Sequence, residues 1–227
     1  MMADQLPLPL PARAALGRED YFIGKANALA VALLDNWPRW PSGKMILVGP
    51  AGAGKTHLAH VWAQDCGARI VAAADLAVAD IPALADAPVC VEDVPRIAAQ
   101  AGAEEALFHL HNLALAQGQP LLMTAAMPPR LWGLALPDLR SRMEGTQTAT
   151  LPQPDDDLLA AVLVKLFADR QAVPAPDVIP YLVRHMPRSF ATARQVVSAL
   201  DAEGLARKRP LSRALAREIL TGLQGED

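Results

Sequence analysis

Met45-Ile46-Leu47-Val48-Gly49-Pro50-Ala51-Gly52-Ala53-Gly54-Lys55-Thr56 decides the fold. The four apolar residues read as a buried strand. The rest is a complete G-x-x-x-x-G-K-T phosphate loop, and His57-Leu58-Ala59-His60-Val61-Trp62-Ala63 continues with helical spacing. Strand, glycine loop and helix start are the context this motif requires, which sets it apart from a chance glycine-rich turn. The glycines let the backbone curl until several N–H groups face one anion, and the helix N-terminus adds partial positive charge. Lys55 then reaches the β- and γ-phosphates, and the Thr56 hydroxyl ligates Mg²⁺.

Outward from the loop, strands and helices alternate. The reading places a helix at 24–36 with Ala28, Leu29, Val31, Ala32 and Leu33 inward, then a turn at 37–43. Strands follow at 69–73, 88–91 and 120–125, with a short fifth at 148–151. A helix at 104–117 turns Ala106, Leu107, Leu110, Leu113 and Leu115 to its apolar side, and Gly118 ends it. This order predicts an α/β fold with a doubly wound, parallel, five-stranded sheet. Such sheets bind ligands beyond the carboxyl ends of their strands. After Pro152-Gln153-Pro154 only helices are predicted, at 155–170, 177–186, 189–206 and 212–222. The division is therefore a tail at 1–12, an α/β domain at 13–151 and a small helical domain at 152–227.

Composition narrows the function classes. The 227 residues are 52% hydrophobic but only 4% aromatic, and the net charge of −3 argues against a protein that coats nucleic acid. Cys66 and Cys90 lie in apolar segments without metal spacing, so both read as small buried hydrophobes in a reducing compartment. No apolar run approaches a membrane span, and the N-terminus has no basic start or apolar signal core. The expectation is a cytoplasmic protein without a membrane partner.

Val89-Cys90-Val91-Glu92-Asp93 has the form of a Walker B segment: a buried strand with acids emerging at its end. By position Glu92 takes the metal, through water, and Asp93 orients an attacking water. The alternative is two solvated loop acids. Thr124, at the end of the next strand, either touches the γ-phosphate or is a satisfied strand-end threonine. Asp138-Leu139-Arg140-Ser141-Arg142-Met143 is a short arginine-bearing helix, functional or simply solvated. Arg194 lies among Ala193, Val196, Val197 and Leu200, which suggests that it points at something anionic. Leu6-Pro7-Leu8-Pro9-Leu10-Pro11 excludes helix. It is either a tail packed along its own domain or a docking peptide. Arg207-Lys208-Arg209 reads as charge matching at a helix C-terminus.

Together these parts resemble the AAA+ ATPases, and within them the DnaA replication-initiator branch, over roughly residues 16–222. Gly-Pro-Ala-Gly-Ala-Gly-Lys-Thr-His-Leu at 49–58 and Tyr21-Phe22-Ile23-Gly24-Lys25-Ala26-Asn27 carry the likeness. The resemblance assigns ADP or ATP, with Mg²⁺, to Gly49, Pro50, Ala51, Gly52, Ala53, Gly54, Lys55, Thr56 and His57. It gives the adenine to Phe22 and Ile23. Ser141-Arg142-Met143 matches the arginine-finger pattern, and Arg194 resembles the sensor-2 arginine of the lid. The initiators' DNA-reading domain is expected to be absent, since the chain ends at Asp227 just after the lid.

Gln5-Leu6-Pro7-Leu8-Pro9-Leu10 matches the clamp-binding motif Gln-Leu-x-Leu-Pro-Leu of the Hda regulators, which inactivate DnaA. That resemblance assigns sliding-clamp contacts to Gln5, Leu6, Leu8, Pro9 and Leu10. It implies DnaA and the clamp as partners and DNA only indirectly through the clamp, with a homo-oligomer possible. Two departures matter. Glu92 stands where the family usually has Asp, and Ala126 where an acidic residue often ends the sensor-1 strand. Both disfavour fast hydrolysis in cis and point to a nucleotide, ADP in particular, held as a structural switch. Two rivals stand beside this reading: a self-activating AAA+ ATPase that remodels a partner, and a DNA-tethered adaptor. Helicase loading or segregation remains a third setting for the same module.

Overall fold

The computed structural model describes residues 17, 18, 21–207 and 209–224. The tail motif Gln5–Leu10 lies outside these residues, as does Lys208 of the basic cluster. Five strands form one sheet in the order β2-β3-β4-β1-β5: β1 (Lys44–Val48), β2 (Arg69–Ala72), β3 (Val89–Glu92), β4 (Leu121–Ala125) and β5 (Thr148–Thr150). Every pairing is parallel, with β1 in register against β4 from Lys44↔Leu121 to Val48↔Ala125. Parallel strands need long crossovers, and helices supply them on both faces. The sheet is the predicted α/β fold.

Apolar runs form these strands because both faces are covered. Ile46 and Val48 of β1 pack with Val89, Val91, Leu121 and Met123 against α4 (Ala101–Ala116) and α5 (Pro137–Glu144). Met45 and Leu47 point the other way, with Cys90 and Leu122, onto α1 (Ala28–Asp35) and α2 (Lys55–Cys66). Trp40 stacks on Trp62 there, ring centroids 5.4 Å apart. A third core lies wholly within the C-terminal helices α6 (Asp156–Asp169), α7 (Val178–His185), α8 (Phe190–Arg207) and α9 (Arg213–Gln224). Asp155 caps α6 by accepting the Leu158 N–H at 2.8 Å. No helix among the described residues is long and apolar enough to cross a membrane.

Several expectations need correction. The first helix begins at Ala28 rather than residue 24, because Gly24–Asn27 folds into a turn closed by the Asn27 side chain. Its buried residues are Ala30, Val31 and Leu34, whereas Ala28, Leu29 and Ala32 are exposed. On α4, Leu113 is exposed while Glu104 and His111 are buried. The short helix α3 (Ile81–Ala85) and 3-10 turns at 73–78, 94–97 and 129–131 were not predicted. Cys90 is buried, but Cys66 is only half-buried, with its thiol pushed by burial up to about 11.

Glu104 explains part of the miss on α4. Its carboxylate is 1% exposed and accepts three backbone N–H groups: Ala99 at 2.8 Å, Ala135 at 3.0 Å and Leu136 at 2.7 Å. Leu136 is the N-cap residue of α5, so this one carboxylate fastens the start of that helix to α4. Truncation to alanine leaves three amides without an acceptor. Glu104→Ala is therefore expected to lose about 3 kcal/mol, measured by urea unfolding, and a loss below that of an ordinary surface substitution would contradict the assignment.

Candidate functional site

The phosphate loop emerges from the C-terminal end of β1, between its neighbours. Gly49 N–H donates to the Ala125 carbonyl at 3.1 Å, and Leu151 N–H donates to the Val48 carbonyl at 2.7 Å. The loop is thus pinned at its root to β4 on one side and past β5 on the other. Its amides at Gly52, Gly54, Lys55 and Thr56 have no hydrogen-bond acceptor among the described residues. These are the N–H groups that a phosphate chain at the start of a 12-residue helix would take up. The residues present therefore fit a nucleotide.

Gly52 and Gly54 do more than permit a turn. Both have positive φ, +75° and +97°. A methyl on Gly52 would run into the Ser189 side chain, and one on Gly54 would press on the Phe190 ring at 3.2 Å. Phe190 N–H donates to the Gly52 carbonyl at 2.9 Å. The first turn of α8 therefore sits directly on the loop. Ser189 N-caps that turn, its hydroxyl accepting the Thr192 N–H at 3.2 Å. Arg194 follows Phe190 by one helical turn and so shares its face of α8. Burial lowers its pKa, although the residue is exposed overall, and it has no side-chain partner among the described residues. Ala193, Val196, Val197 and Leu200 are buried beside it, while Arg194 itself is exposed one turn after Phe190.

Lys55 folds back on the loop, its ammonium donating to the Gly49 carbonyl at 2.7 Å and the Pro50 carbonyl at 3.0 Å. Burial lowers its pKa, and the charges of Asp93 and Glu92 oppose that shift, which places both acids near it. Glu92 ends β3. Asp93 follows in a left-handed conformation, φ 55°, its N–H donating to the Thr124 hydroxyl at 3.0 Å. Thr124 is buried, and its oxygen serves the turn that aims Asp93. Asp93 also lies 3.8 Å from Arg96. No group of three metal-ligating side chains occurs among the described residues. Mg²⁺ does not require one, since phosphate oxygens and waters complete its shell around one or two protein oxygens. Thr56 is exposed at the loop's end to supply such an oxygen. Ala126, just past β4, is exposed and offers no polar group.

The segment proposed for the adenine borders the loop. Asn27, 2% exposed, donates to the Phe22 carbonyl at 2.8 Å and accepts the Gly24 N–H at 2.8 Å. Phe22 is half-buried and Ile23 exposed. His57 meets the Tyr21 ring edge-on at 5.1 Å, and burial pushes the Tyr21 hydroxyl up to about 12, so it stays neutral. Ser189 and Phe190 are site residues the sequence reading did not single out, while Tyr21 and Asn27 lie in the stretch it quoted for the adenine without a role of their own. The Ser cap before α8 was the one local signal for Ser189 and Phe190.

Arg142 lies elsewhere. The chain runs from α5 through Gly145 into β5, which is parallel to β1, so the end of α5 sits at the strand-start edge of the sheet. There the Lys44 ammonium donates to the Arg142 carbonyl at 3.2 Å. Lys44 and Val48 are the two ends of β1, about 13 Å apart at about 3.3 Å per residue. The arginine and the phosphate loop of one chain thus occupy opposite edges of the sheet.

No family model matches the chain. Domain III of the Thermotoga maritima replication initiation protein DnaA matches with TM-score 0.78 and 15% identity, over 94% of this chain and 98% of that one. AMPPCP-bound DnaA from Aquifex aeolicus matches with TM-score 0.69 and 17% identity, over 83% of this chain and 65% of that one. RuvB from Thermotoga maritima gives 0.68 and 18%, over 88% and 70%. The fold is that of the DnaA AAA+ module. At these identities the likeness extends to the fold, and the chain spans about two thirds of the longer DnaA structure.

His111, 2% exposed beside Lys44, gives this region a pH signature. Burial, together with the charges of Lys44 and Arg142, lowers its pKa from 6.5 to about 4 against a smaller opposing bond to Asn112. Between those values the unfolded chain binds a proton that the folded chain refuses. Stability from this group is therefore complete above about 6.5 and falls as the pH drops toward about 4. The slope is at most about 1.4 kcal/mol per pH unit. His111→Gln is expected to flatten that part of the profile in urea titrations at stepped pH, and an unchanged slope would contradict it.

Proposed function

We propose that this protein is a nucleotide-holding AAA+ regulator of the Hda kind, which promotes ATP hydrolysis on DnaA while docked on the sliding clamp. The observation that carries the reading is the placement of Arg142: exposed, on the far edge of the sheet from its own phosphate loop. An arginine so placed is remote from its own loop and available to a phosphoryl group on another molecule, which supports the reading. The self-activating ATPase is favoured by the assembled loop and acids, but Glu92 and Ala126 speak against fast turnover.

In this reading Gly52, Gly54, Lys55 and Thr56 take the phosphates of ADP or ATP. Thr56 and Glu92 hold Mg²⁺, directly and through water, and Phe22 and Ile23 border the base. A bound nucleotide supplies the negative charge that draws Lys55 off its carbonyls and draws Arg194 toward the loop. Ser189 and Phe190 then fix the angle between sheet and lid, and with it the pose in which Arg142 meets DnaA. A trans arginine neutralises charge developing on the transferred phosphoryl group, worth on the order of 10³–10⁵ in rate. Gln5, Leu6, Leu8, Pro9 and Leu10 are the proposed clamp contacts, and the clamp brings the protein to DNA.

Arg142→Ala is expected to bind nucleotide and clamp normally and to lose stimulation of DnaA, read as phosphate release from DnaA-bound ATP. Equal stimulation by that variant refutes the assignment. Gln5→Ala/Leu6→Ala should abolish clamp binding in a direct titration, and unchanged binding removes the docking reading. Lys55→Ala or Arg194→Ala should weaken nucleotide binding in equilibrium dialysis.

A further inference from the structure

Arg142 is surrounded by Lys44, His111 and Phe108. Lys44 is half-buried at the sheet edge, and burial together with the Arg142 charge lowers its pKa. Its ammonium makes two hydrogen bonds, to the Arg142 carbonyl at 3.2 Å and to His111 Nε2 at 3.0 Å. No carboxylate pairs with Lys44 or with Arg142 among the described residues. His111 Nδ1 donates to Asn112 Oδ1 at 3.2 Å, which leaves Nε2 as the acceptor for the lysine. Phe108, one turn before His111 on α4, lies under the guanidinium, its ring centroid 5.1 Å from Arg142 Cζ.

A half-buried ammonium without a counter-ion is a costly way to fill space. An apolar residue would serve a purely structural role better. What Lys44 achieves is specific to Arg142. It fixes that residue's own carbonyl near the end of α5, and its like charge repels the guanidinium away from the sheet. The Phe108 ring offers a flat, weakly attractive face to receive it. His111 holds the lysine from behind as a neutral acceptor. The guanidinium is thereby held in place without a carboxylate that would use up its charge.

We propose that Lys44, His111 and Phe108 form a socket that positions the Arg142 guanidinium for its contact with a phosphoryl group on a second molecule. The proposal rests on the reading of Arg142 as a trans-acting arginine. Lys44 and Phe108 are positioning residues, since neither touches the phosphoryl group.

The test pairs Lys44→Met with Lys44→Arg, and Phe108→Leu with Phe108→Trp, in the full chain. Two readouts apply: the maximal rate and half-saturating concentration for stimulated hydrolysis on DnaA, and the order of the Arg142 Nε–Hε group by ¹⁵N relaxation in the isolated protein. Lys44→Met should cut the maximal rate by up to about 10²-fold, the scale of a misplaced reacting group. The half-saturating concentration and the chain's own nucleotide affinity should stay unchanged. Lys44→Arg and Phe108→Trp should restore the rate, and Arg142 should lose order in the Met and Leu variants. Full rate and full order in those two variants overturn the socket. So does a loss of rate that Lys44→Arg leaves unrepaired and that follows thermal unfolding. If the wild-type chain does not stimulate DnaA, the trans reading fails by itself. The relaxation data then decide the socket alone: loss of Arg142 order supports it, and unchanged order overturns it.

Discussion

Strand β1 sets the position of everything else. Five residues, Lys44–Val48, are held by parallel ladders to β4 and β5 and sealed on both faces by apolar cores. Its last residue delivers the phosphate loop, and its first delivers the lysine that grips the end of α5. A parallel strand cannot slip by one residue without moving Ile46 and Leu47 to the wrong faces. The separation between loop and arginine is therefore as rigid as the sheet. In the proposed function such a chain holds one nucleotide and presents Arg142 to another.

The lid meets the sheet domain at a small, specific joint. Gly52 and Gly54 leave room for Ser189 and Phe190, and the Gly52 carbonyl accepts the Phe190 N–H. Because the joint lies on the loop itself, phosphate arriving there acts on both bodies. Lys55 is satisfied meanwhile by the loop's own carbonyls. A bound phosphate would replace those neutral acceptors with anionic ones, a stronger partner for the ammonium. In the proposed function, nucleotide occupancy and lid angle are therefore coupled.

Much of this was legible in the sequence where the signal is local. The apolar run before Gly49, the loop itself and the acids after Val91 each declare their element within a few residues. Asp155 marks the start of α6 by the cap it forms. Reading failed where composition hides the face. The helix Ala-Leu-Ala-Val-Ala-Leu-Leu-Asp of α1 is apolar all round, so nothing local says that Leu29 faces outward. On α4 the pattern inverts: Glu104 is buried because three amides converge on it, while Leu113 is exposed. Those amides come from Ala99, Ala135 and Leu136, and the Lys44–Arg142 contact spans 98 positions. Contacts of that separation leave no periodic trace, so the surroundings of Arg142 appear only in three dimensions.

The central claim is that one chain binds nucleotide but lacks a finger for it. The most direct measurement is ATP turnover by the isolated protein, followed across dilution into the monomeric range with bound nucleotide quantified in parallel. The account predicts stoichiometric binding with the nucleotide retained through the time in which an ordinary ATPase completes many cycles. Sustained turnover at many cycles per minute, independent of dilution, would contradict it.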